Sequence, residues 1–440
     1  MNVGGASLAR RSKAKEAVLR PHLTYKQALA WLYGLQRFGI KLGLETIRRL
    51  LGQGCSGVCV KRPPLAAANA STPKIIHVAG TNGKGSVCAM IDSICRAQGY
   101  RTGLFTSPHL VTFRERIRVN GEMISEDAVA DGLTMIRDLI ADWDPHPTFF
   151  EVTTALALKH FGDTEIDIAI LETGLGGRLD ATNAVQSDVS VITPIGLDHE
   201  DWLGHTLPEI AGEKAGIIKP GVPVVSAPQQ PQAEEVIRAR AAECGSQVQF
   251  LKGNYDQSPI ALRGQHQKQN AAVAIATVQA ANVQLDEKAI VRGLAAIEWP
   301  ARFQRWNERT IIDGAHNPSA ASILAQTWRE VFGDQKATLV LAVLSDKDLR
   351  GICEALAPIA ASVLFPKIRS ERAAAPGELA KVFSVITPSL PHSMTSTIGD
   401  TLMLARAKPN PILITGSLHF AGELLAYIRG EPAAFEECAQ

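Results

Sequence analysis

The chain has 440 residues, 46% of them apolar and 20% charged, with a formal net charge of +1. That length exceeds one ordinary hydrophobic core and calls for roughly two or three domains, while near-neutral charge excludes a broad field for nucleic acid or anionic membrane. Seven cysteines at irregular spacing read as reduced cytosolic thiols rather than a disulfide framework, and no apolar run is long enough to cross a bilayer.

Residues 1–20 are basic, with Arg10, Arg11, Lys13, Lys15 and Arg20 opposed only by Glu16. Transit segments share that composition, but a disordered, solvated extension is the reading taken. The Arg10-Arg11 pair precedes no apolar core of an export signal. From 25 to 51 apolar residues recur at spacings of three and four (Leu29, Leu32, Leu35, then Ile47, Leu50, Leu51) and predict helix. Residues 52–72, rich in Gly, Pro, Ala and Ser, read as loop. Cys55 and Cys59 lie in it without a second ligand pair, so no zinc site is inferred.

The run Ile75-Ile76-His77-Val78-Ala79 predicts a strand, and Gly80-Thr81-Asn82-Gly83-Lys84-Gly85-Ser86 leads from it into a helix over 87–97. A strand that ends in glycines and enters a helix leaves backbone N–H groups pointing outward. With the helix's positive end and a lysine ammonium, they cradle phosphate oxygens. The strict spacing G-x-x-x-x-G-K-[ST] is not met, because Val78 holds the first glycine position and Gly85 separates Lys84 from Ser86. Lysine and hydroxyl in this setting still point to a nucleotide triphosphate site.

Short apolar runs over 103–106, 166–171, 189–193 and 222–226, with helical segments between them and a helix over 269–281, predict a mostly parallel sheet covered on both faces. A second series follows: strands over 310–313, 338–343, 362–365 and 411–415, helices over 320–331 and 349–361. It reads as a smaller α/β unit without a phosphate loop, joined through a polar, aromatic connector near 299–308.

Four constellations carry chemistry. Glu172 sits at the carboxyl end of a strand, where ligands of parallel sheets bind, and a carboxylate beside a triphosphate holds Mg²⁺. His199 lies among acids past another strand, as a candidate ligand. Ser107 closes a third strand and can offer a hydroxyl, while Arg114, Arg116 and Arg118 can hold carboxylates in bidentate fashion. Arg302 and Asp313 flank the junction, which suggests a cleft that closes on ligands. Lys214, in a stretch of small residues, reads from spacing alone as a solvated helix face.

Together these motifs resemble the folylpolyglutamate synthase/dihydrofolate synthase family, a branch of the Mur ligase superfamily. The residues that carry the resemblance run in family order: GTNGKGS at 80–86, SPHL at 107–110, ERIRVNG at 115–121, FE at 150–151, LETGLGGRLDATN at 171–183, LDHEDWLG at 197–204, EKAGIIKPG at 213–221, ARFQ at 301–304, DGAHNP at 313–318 and DKD at 346–348. Thr173 stands where valine is common, and the 52–72 loop is longer than usual.

The resemblance implies an α/β fold with a Mur-ligase-like ATPase domain over 21–299, a linker over 300–308 and a Rossmann-like glutamate-ligase domain over 309–440. It implies that Thr81, Asn82, Gly83, Lys84, Gly85 and Ser86, with Asn270, Arg302 and Asp313, bind ATP. Ser107, Glu172 and His199 match magnesium ligands, and Lys214 matches a lysine carbamylated to N6-carboxylysine that helps hold a second Mg²⁺. Thr148, Phe149, Phe150, Glu151, Leu179, Asp180 and Ala181 match the dihydropteroate pocket. Lys84, Lys214 and His199 become the catalytic residues. The implied reaction joins L-glutamate to dihydropteroate or to the γ-carboxyl of reduced folate polyglutamates through an acyl phosphate, in a cytoplasmic monomer. A muropeptide ligase is the nearest rival, disfavoured because too little chain precedes the phosphate loop for a UDP-binding domain. A nucleotide switch is disfavoured because the guanine motif N-K-x-D is missing.

Overall fold

The computed structural model describes residues 21–39, 41, 43–53 and 72–436. The basic segment 1–20 and the Cys55–Cys59 loop lie outside the described residues. Among the described residues fourteen strands form two sheets. The first contains β1 (Lys74–Ala79), β2 (Thr102–Phe105), β3 (Ile117–Val119), β4 (Glu122–Met123), β5 (Ile168–Glu172), β6 (Val189–Ile192), β7 (Val224–Ser226) and β8 (Val248–Phe250). The second contains β9 (Gln304–Arg305), β10 (Thr310–Ile312), β11 (Ala337–Leu341), β12 (Ala360–Pro366), β13 (His392–Thr395) and β14 (Ile412–Thr415).

The first sheet runs β4-β3-β2-β5-β1-β6-β7-β8, parallel from β2 to β8, with β3 and β4 antiparallel at one edge. β1, β2, β5 and β6 are buried on both faces because helices cover both sides. Ile75, Phe105 and Leu171 face one core with the helix Phe149–Asp163, while Ile76, Val78 and Ile170 face the other with Lys84–Gln98. Gly293 lets the helix Glu287–Ala296 close on Lys84–Gln98, since a Cβ there would stand 2.6 Å from Ile94 Cα. The second sheet runs β13-β12-β11-β14-β10-β9, parallel except for β9.

The structure departs from the sequence-based elements in several places, among them the helix expected over 349–361, which ends at Leu356 and gives way to a 3-10 turn over Ala357–Ile359 and to β12. The helix expected over 25–51 is two, Tyr25–Tyr33 and Glu45–Gly52, separated by a 3-10 turn over Gly34–Phe38. Gly39 follows that turn at φ 63°, a conformation that ends helices. The short strands β3, β4, β8 and β13, at or next to sheet edges, are too short to register in the apolar pattern. β9 lies inside the segment read as linker and pairs with β10.

The units meet over a shared core. Leu110 and Val111, after β2, pack with Phe420 and Leu424 of the helix Leu418–Ile428. Gly422 allows that contact, because a Cβ there would overlap the Leu110 carbonyl oxygen at 1.8 Å. Glu436 ties down the same loop: its carboxylate accepts from Phe113 N at 2.5 Å, Thr112 Oγ1 at 3.1 Å and Tyr25 OH at 3.1 Å.

Candidate active site

The carboxyl ends of β2, β5, β1 and β6 lie side by side and deliver Ser107, Glu172, Gly80 and Thr193 to one edge. Parallel strands direct their loops to that edge, which is why ligands collect there. The Gly80–Ser86 turn is held from β6: Thr81 N and Asn82 N donate to Pro194 O at 3.0 and 3.1 Å, and Thr81 Oγ1 donates to Gly196 O. At Gly80 (φ 148°) a Cβ would sit 1.9 Å from Thr193 Oγ1; Gly83 (φ 87°) leads into the helix Lys84–Gln98 in left-handed conformation. The backbone is therefore free to wrap a phosphate. Lys84 Nζ folds back onto Gly80 O (3.1 Å) and Thr81 O (3.3 Å). Ser86 lies buried one turn into the helix, and Trp299 covers Gly85.

Glu172 ends β5, and its Oε2 accepts the Ser107 N–H at 3.1 Å. Burial pushes its pKa up, against the pull of Lys84, the Ser107 N–H, Arg302 and Arg116. Ser107 Oγ is buried with no hydrogen-bond partner. An orphan hydroxyl beside a buried carboxylate is the donor set of a hard cation that takes oxygen ligands, so the residues present fit Mg²⁺. Among the described residues no three His, Cys, Asp or Glu side chains converge on one point. Any metal here takes its remaining ligands from hydroxyl, phosphate or water oxygens.

His199 caps the short helix Glu200–Leu203 in left-handed conformation (φ 54°). Burial lowers its pKa to about 4, with Lys347 and Lys84 acting in the same direction and Asp198 opposing them. Lys214, in the last turn of the helix Leu207–Ala215, is 4% exposed and donates to Gly80 O at 2.9 Å. It is no solvated helix face. Burial, then the Lys84 ammonium, lowers its pKa to about 7 against the attraction of Asp198, Asp180 and Glu213. Lys84 thus acts on Glu172, His199 and Lys214 alike.

Asn270 is buried on the helix Gln265–Ala280, and its Oδ1 would meet a Cβ at Gly83 at 2.9 Å. Arg302 lies between Ala301 (φ 57°) and Phe303 (φ 45°), two left-handed residues that turn the connector sharply. Asp313 ends β10's run and accepts from Phe303 N (2.7 Å) and Ala315 N (2.8 Å). Burial raises its pKa, and Arg302 opposes the rise. Arg302 and Asp313 therefore act on each other at the junction, while Arg302 also faces Glu172 and lines one cleft with it and Ser107.

The residues matched to a dihydropteroate pocket divide by environment. Thr148 and Glu151 form the capping box of the helix Phe149–Asp163, and Phe149 stacks on Tyr33 in the core. Phe150 packs against Gly174, where a Cβ would lie 2.5 Å from its ring. Asp180 Oδ2 accepts from Gly174 N and Leu175 N at 2.9 Å, and Oδ1 from Thr182 N and Oγ1. Asp180 thereby staples the glycine-rich loop. Leu179 is half-buried and Ala181 buried beside it.

Sequence reasoning did not single out Asp198, Asn317 and Lys347, which stand together across the junction. Asn317 Nδ2 donates to Asn82 Oδ1 and to Asp198 Oδ2, each at 3.1 Å, and Lys347 donates to Asp198 Oδ1 at 2.8 Å. Their signal lay in the LDHEDWLG, DGAHNP and DKD motifs, but no spacing rule links residues 149 positions apart.

Two family models match the chain: the Mur ligase middle domain over residues 78–226 and the Mur ligase glutamate ligase domain over 301–418. The dihydrofolate synthase/folylpolyglutamate synthase of Bacillus subtilis is 34% identical over 437 residues, covering 91% of this chain and 98% of that protein. The crystal structure of Mycobacterium tuberculosis folylpolyglutamate synthase complexed with ADP and AMPPCP superposes with a TM-score of 0.82 at 33% identity, covering 92% of this chain and 99% of that one. A bifunctional folylpolyglutamate synthase/dihydrofolate synthase solved with Mn, AMPPNP and L-glutamate bound gives a TM-score of 0.80 at 32% identity, covering 93% and 100%.

Proposed function

This chain belongs to the folylpolyglutamate synthase/dihydrofolate synthase family of Mur ligases, and we propose that it extends both dihydropteroate and reduced folates with L-glutamate. It is an ATP-dependent acid–amino-acid ligase that uses a divalent metal ion. The observation that carries the reading is the meeting of the Gly80–Ser86 loop, Glu172 and Ser107 at three adjacent strand ends. We take residues 21–299 as the ATP-binding domain and 309–440 as the glutamate-ligase domain.

The substrate carboxylate attacks the γ-phosphate of ATP and releases ADP; the glutamate amine then displaces phosphate from the acyl phosphate. Phosphoryl transfer asks the protein for positioning and charge neutralisation. The Gly80–Ser86 amides hold the phosphates, and Lys84 leaves its two carbonyl acceptors for the β- and γ-oxygens. Thr81 and Asn82 keep the loop's shape, while Asn270, Arg302 and Asp313 take the remainder of the nucleotide. Ser107, Glu172 and His199 would hold Mg²⁺, and Lys214, as N6-carboxylysine, would help to hold a second ion. The bound metal shields the attacking carboxylate from triphosphate charge. Phe150, Leu179 and Ala181 offer apolar surface to the pterin, and Asp180 keeps their loop in place. Four described cysteines carry free thiols, which supports a cytoplasmic location; a monomer completes the reading.

The test is phosphate release from ATP and Mg²⁺ with L-glutamate plus either dihydropteroate or tetrahydrofolate. Release that requires both glutamate and one pterin substrate is expected with each. Release with only one pterin substrate removes bifunctionality, and release with neither removes the ligase assignment.

A further inference from the structure

Three arginines follow β2, and the structure gives each a different environment. Arg114 donates to Ile124 O at 2.6 Å and lies 3.9 Å from Glu126. Arg116 is fully buried, with Nε donating to His109 Nδ1 at 2.9 Å. Arg118 differs. Its neighbours on β3, Ile117 and Val119, point into the core under the helix Phe149–Asp163, so alternation sends Arg118 to the opposite face beside Leu104.

There it lines the interdomain cleft with Ser107, Glu172, Trp299 and Arg302. Its guanidinium stands 5.9 Å over the Trp299 ring, and Nε reaches Glu115 O only at 3.5 Å. Glu115 lines the same cleft, but its carboxylate is turned to Leu110 N, Val111 N and Thr112 N at 2.8 to 3.2 Å and makes no ion pair with Arg118. Among the described residues no carboxylate lies within ion-pair distance of Arg118. A half-buried guanidinium with a planar fork of donors and no acid partner is built for a carboxylate ligand.

We propose that Arg118 binds one carboxylate of the incoming L-glutamate and so selects a dicarboxylic amino acid as the nucleophile. The inference rests on the ligase reading, which supplies the substrate. Amide formation consumes the amine and leaves both glutamate carboxylates ionised, so the cleft needs cationic anchors beyond those on the triphosphate. Lys84 is committed to phosphate oxygens, whereas Arg118 enters the same cleft from the β3 side, beside Ser107 and Glu172. The Trp299 ring lies 5.9 Å from the guanidinium, within reach of a cation–π attraction.

Arg118→Gln and Arg118→Lys are compared with wild type in steady-state ligation. The expected result is a rise in KM for L-glutamate on the order of 10- to 100-fold in Arg118→Gln, with a smaller rise in Arg118→Lys. KM values for ATP and the pterin substrate stay within about threefold. γ-Aminobutyrate, which lacks the α-carboxylate, and L-glutamine, which lacks the side-chain carboxylate, identify the group held. For one of them wild type and Arg118→Gln have matching kcat/KM. An unchanged KM for glutamate, an equal rise for all three substrates, or equal impairment of both analogues overturns the proposal. Wild-type ligation with an indifferent Arg118→Gln removes only this inference, whereas an inactive wild type removes the ligase reading itself.

Discussion

Lys347 Nζ lies 2.8 Å from Asp198 Oδ1, and this ion pair spans from the second sheet's unit to the edge that carries the phosphate loop. Both side chains are only 8% exposed. Burial alone would raise the Asp198 pKa, but His199, His316 and Lys347 outweigh it and hold the carboxyl well below its usual range. Asn317 links the same carboxylate to Asn82, so the junction contact reports directly to the loop. Removing one partner of a buried pair costs about 3–5 kcal/mol, because the other charge is left uncompensated. Lys347→Met should therefore raise KM for ATP and lower kcat together, roughly 10- to 100-fold in kcat/KM, and increase the radius of gyration in solution scattering. Adding Asp198→Asn should recover part of the compactness; no recovery would show that the pair does not hold the units together.

Lys84→Ala should lose at least about 10²- to 10³-fold in kcat, the scale of removing one preorganised charge from a developing transition state. Its melting temperature should stay within a few degrees of wild type, since Lys84 Nζ bonds only two carbonyls of its own loop. Near wild-type turnover in a folded Lys84→Ala protein would remove the phosphate-loop assignment.

Glu172→Gln and His199→Ala should each raise the Mg²⁺ concentration for half-maximal activity by about tenfold or more. Magnesium titrations at saturating ATP read this directly. If neither curve shifts, the metal centre has been placed wrongly.

Lys214 is the residue for which pH and carbon dioxide matter together. Its pKa of about 7 leaves about half of it as neutral amine at pH 7. Only that form adds CO2, giving R–NH–COO⁻ and one released proton. The neutral fraction grows with pH, so enzyme stripped of CO2 should regain activity faster at pH 8 than at pH 6.5 when the CO2 partial pressure is held the same. Lys214→Ala should be nearly inactive and partly rescued by acetate. A fully active Lys214→Ala enzyme would end the carbamate proposal.

Mild acid should destabilise the fold through its buried neutral histidines. Burial lowers the pKa of His77 to about 3 and of His199, His266 and His419 to about 4. Between pH 6.5 and 5 these groups bind protons in the unfolded chain but not in the native one, so stability falls as pH falls. His77, His266 and His419 contribute up to about 1.4 kcal/mol each per pH unit, and His199, with its side chain 36% exposed, contributes less because solvent screens it. Buried Glu172, Asp180 and Asp313, with raised pKa values, act in the opposite sense, because the native state binds their protons more readily than the unfolded chain. Urea midpoints at pH 7.5, 6 and 5 should decline, and less steeply in His77→Asn. An unchanged slope in that variant would remove His77 from the set.

The phosphate loop was legible in the chain because its function depends on local backbone geometry: glycines after an apolar run, then a helix, within seven residues. The parallel strands β1, β2, β5 and β6 were legible for the same reason, since burial on both faces demands short runs of apolar residues. Glu172, Ser107 and His199 could be suspected from their places after strands, where the topology of any parallel sheet puts ligands. Tertiary structure alone decided the rest. Nothing local distinguishes Lys214 from an exposed helix lysine; its burial under Gly80 comes from how one helix packs on the loop. Nothing local assigns Arg114 and Arg116 to structure and Arg118 to the cleft, because their partners come from other elements. Asp198 and Lys347 meet only when two sheets dock, and sequence periodicity carries no information about contacts between units built on separate sheets.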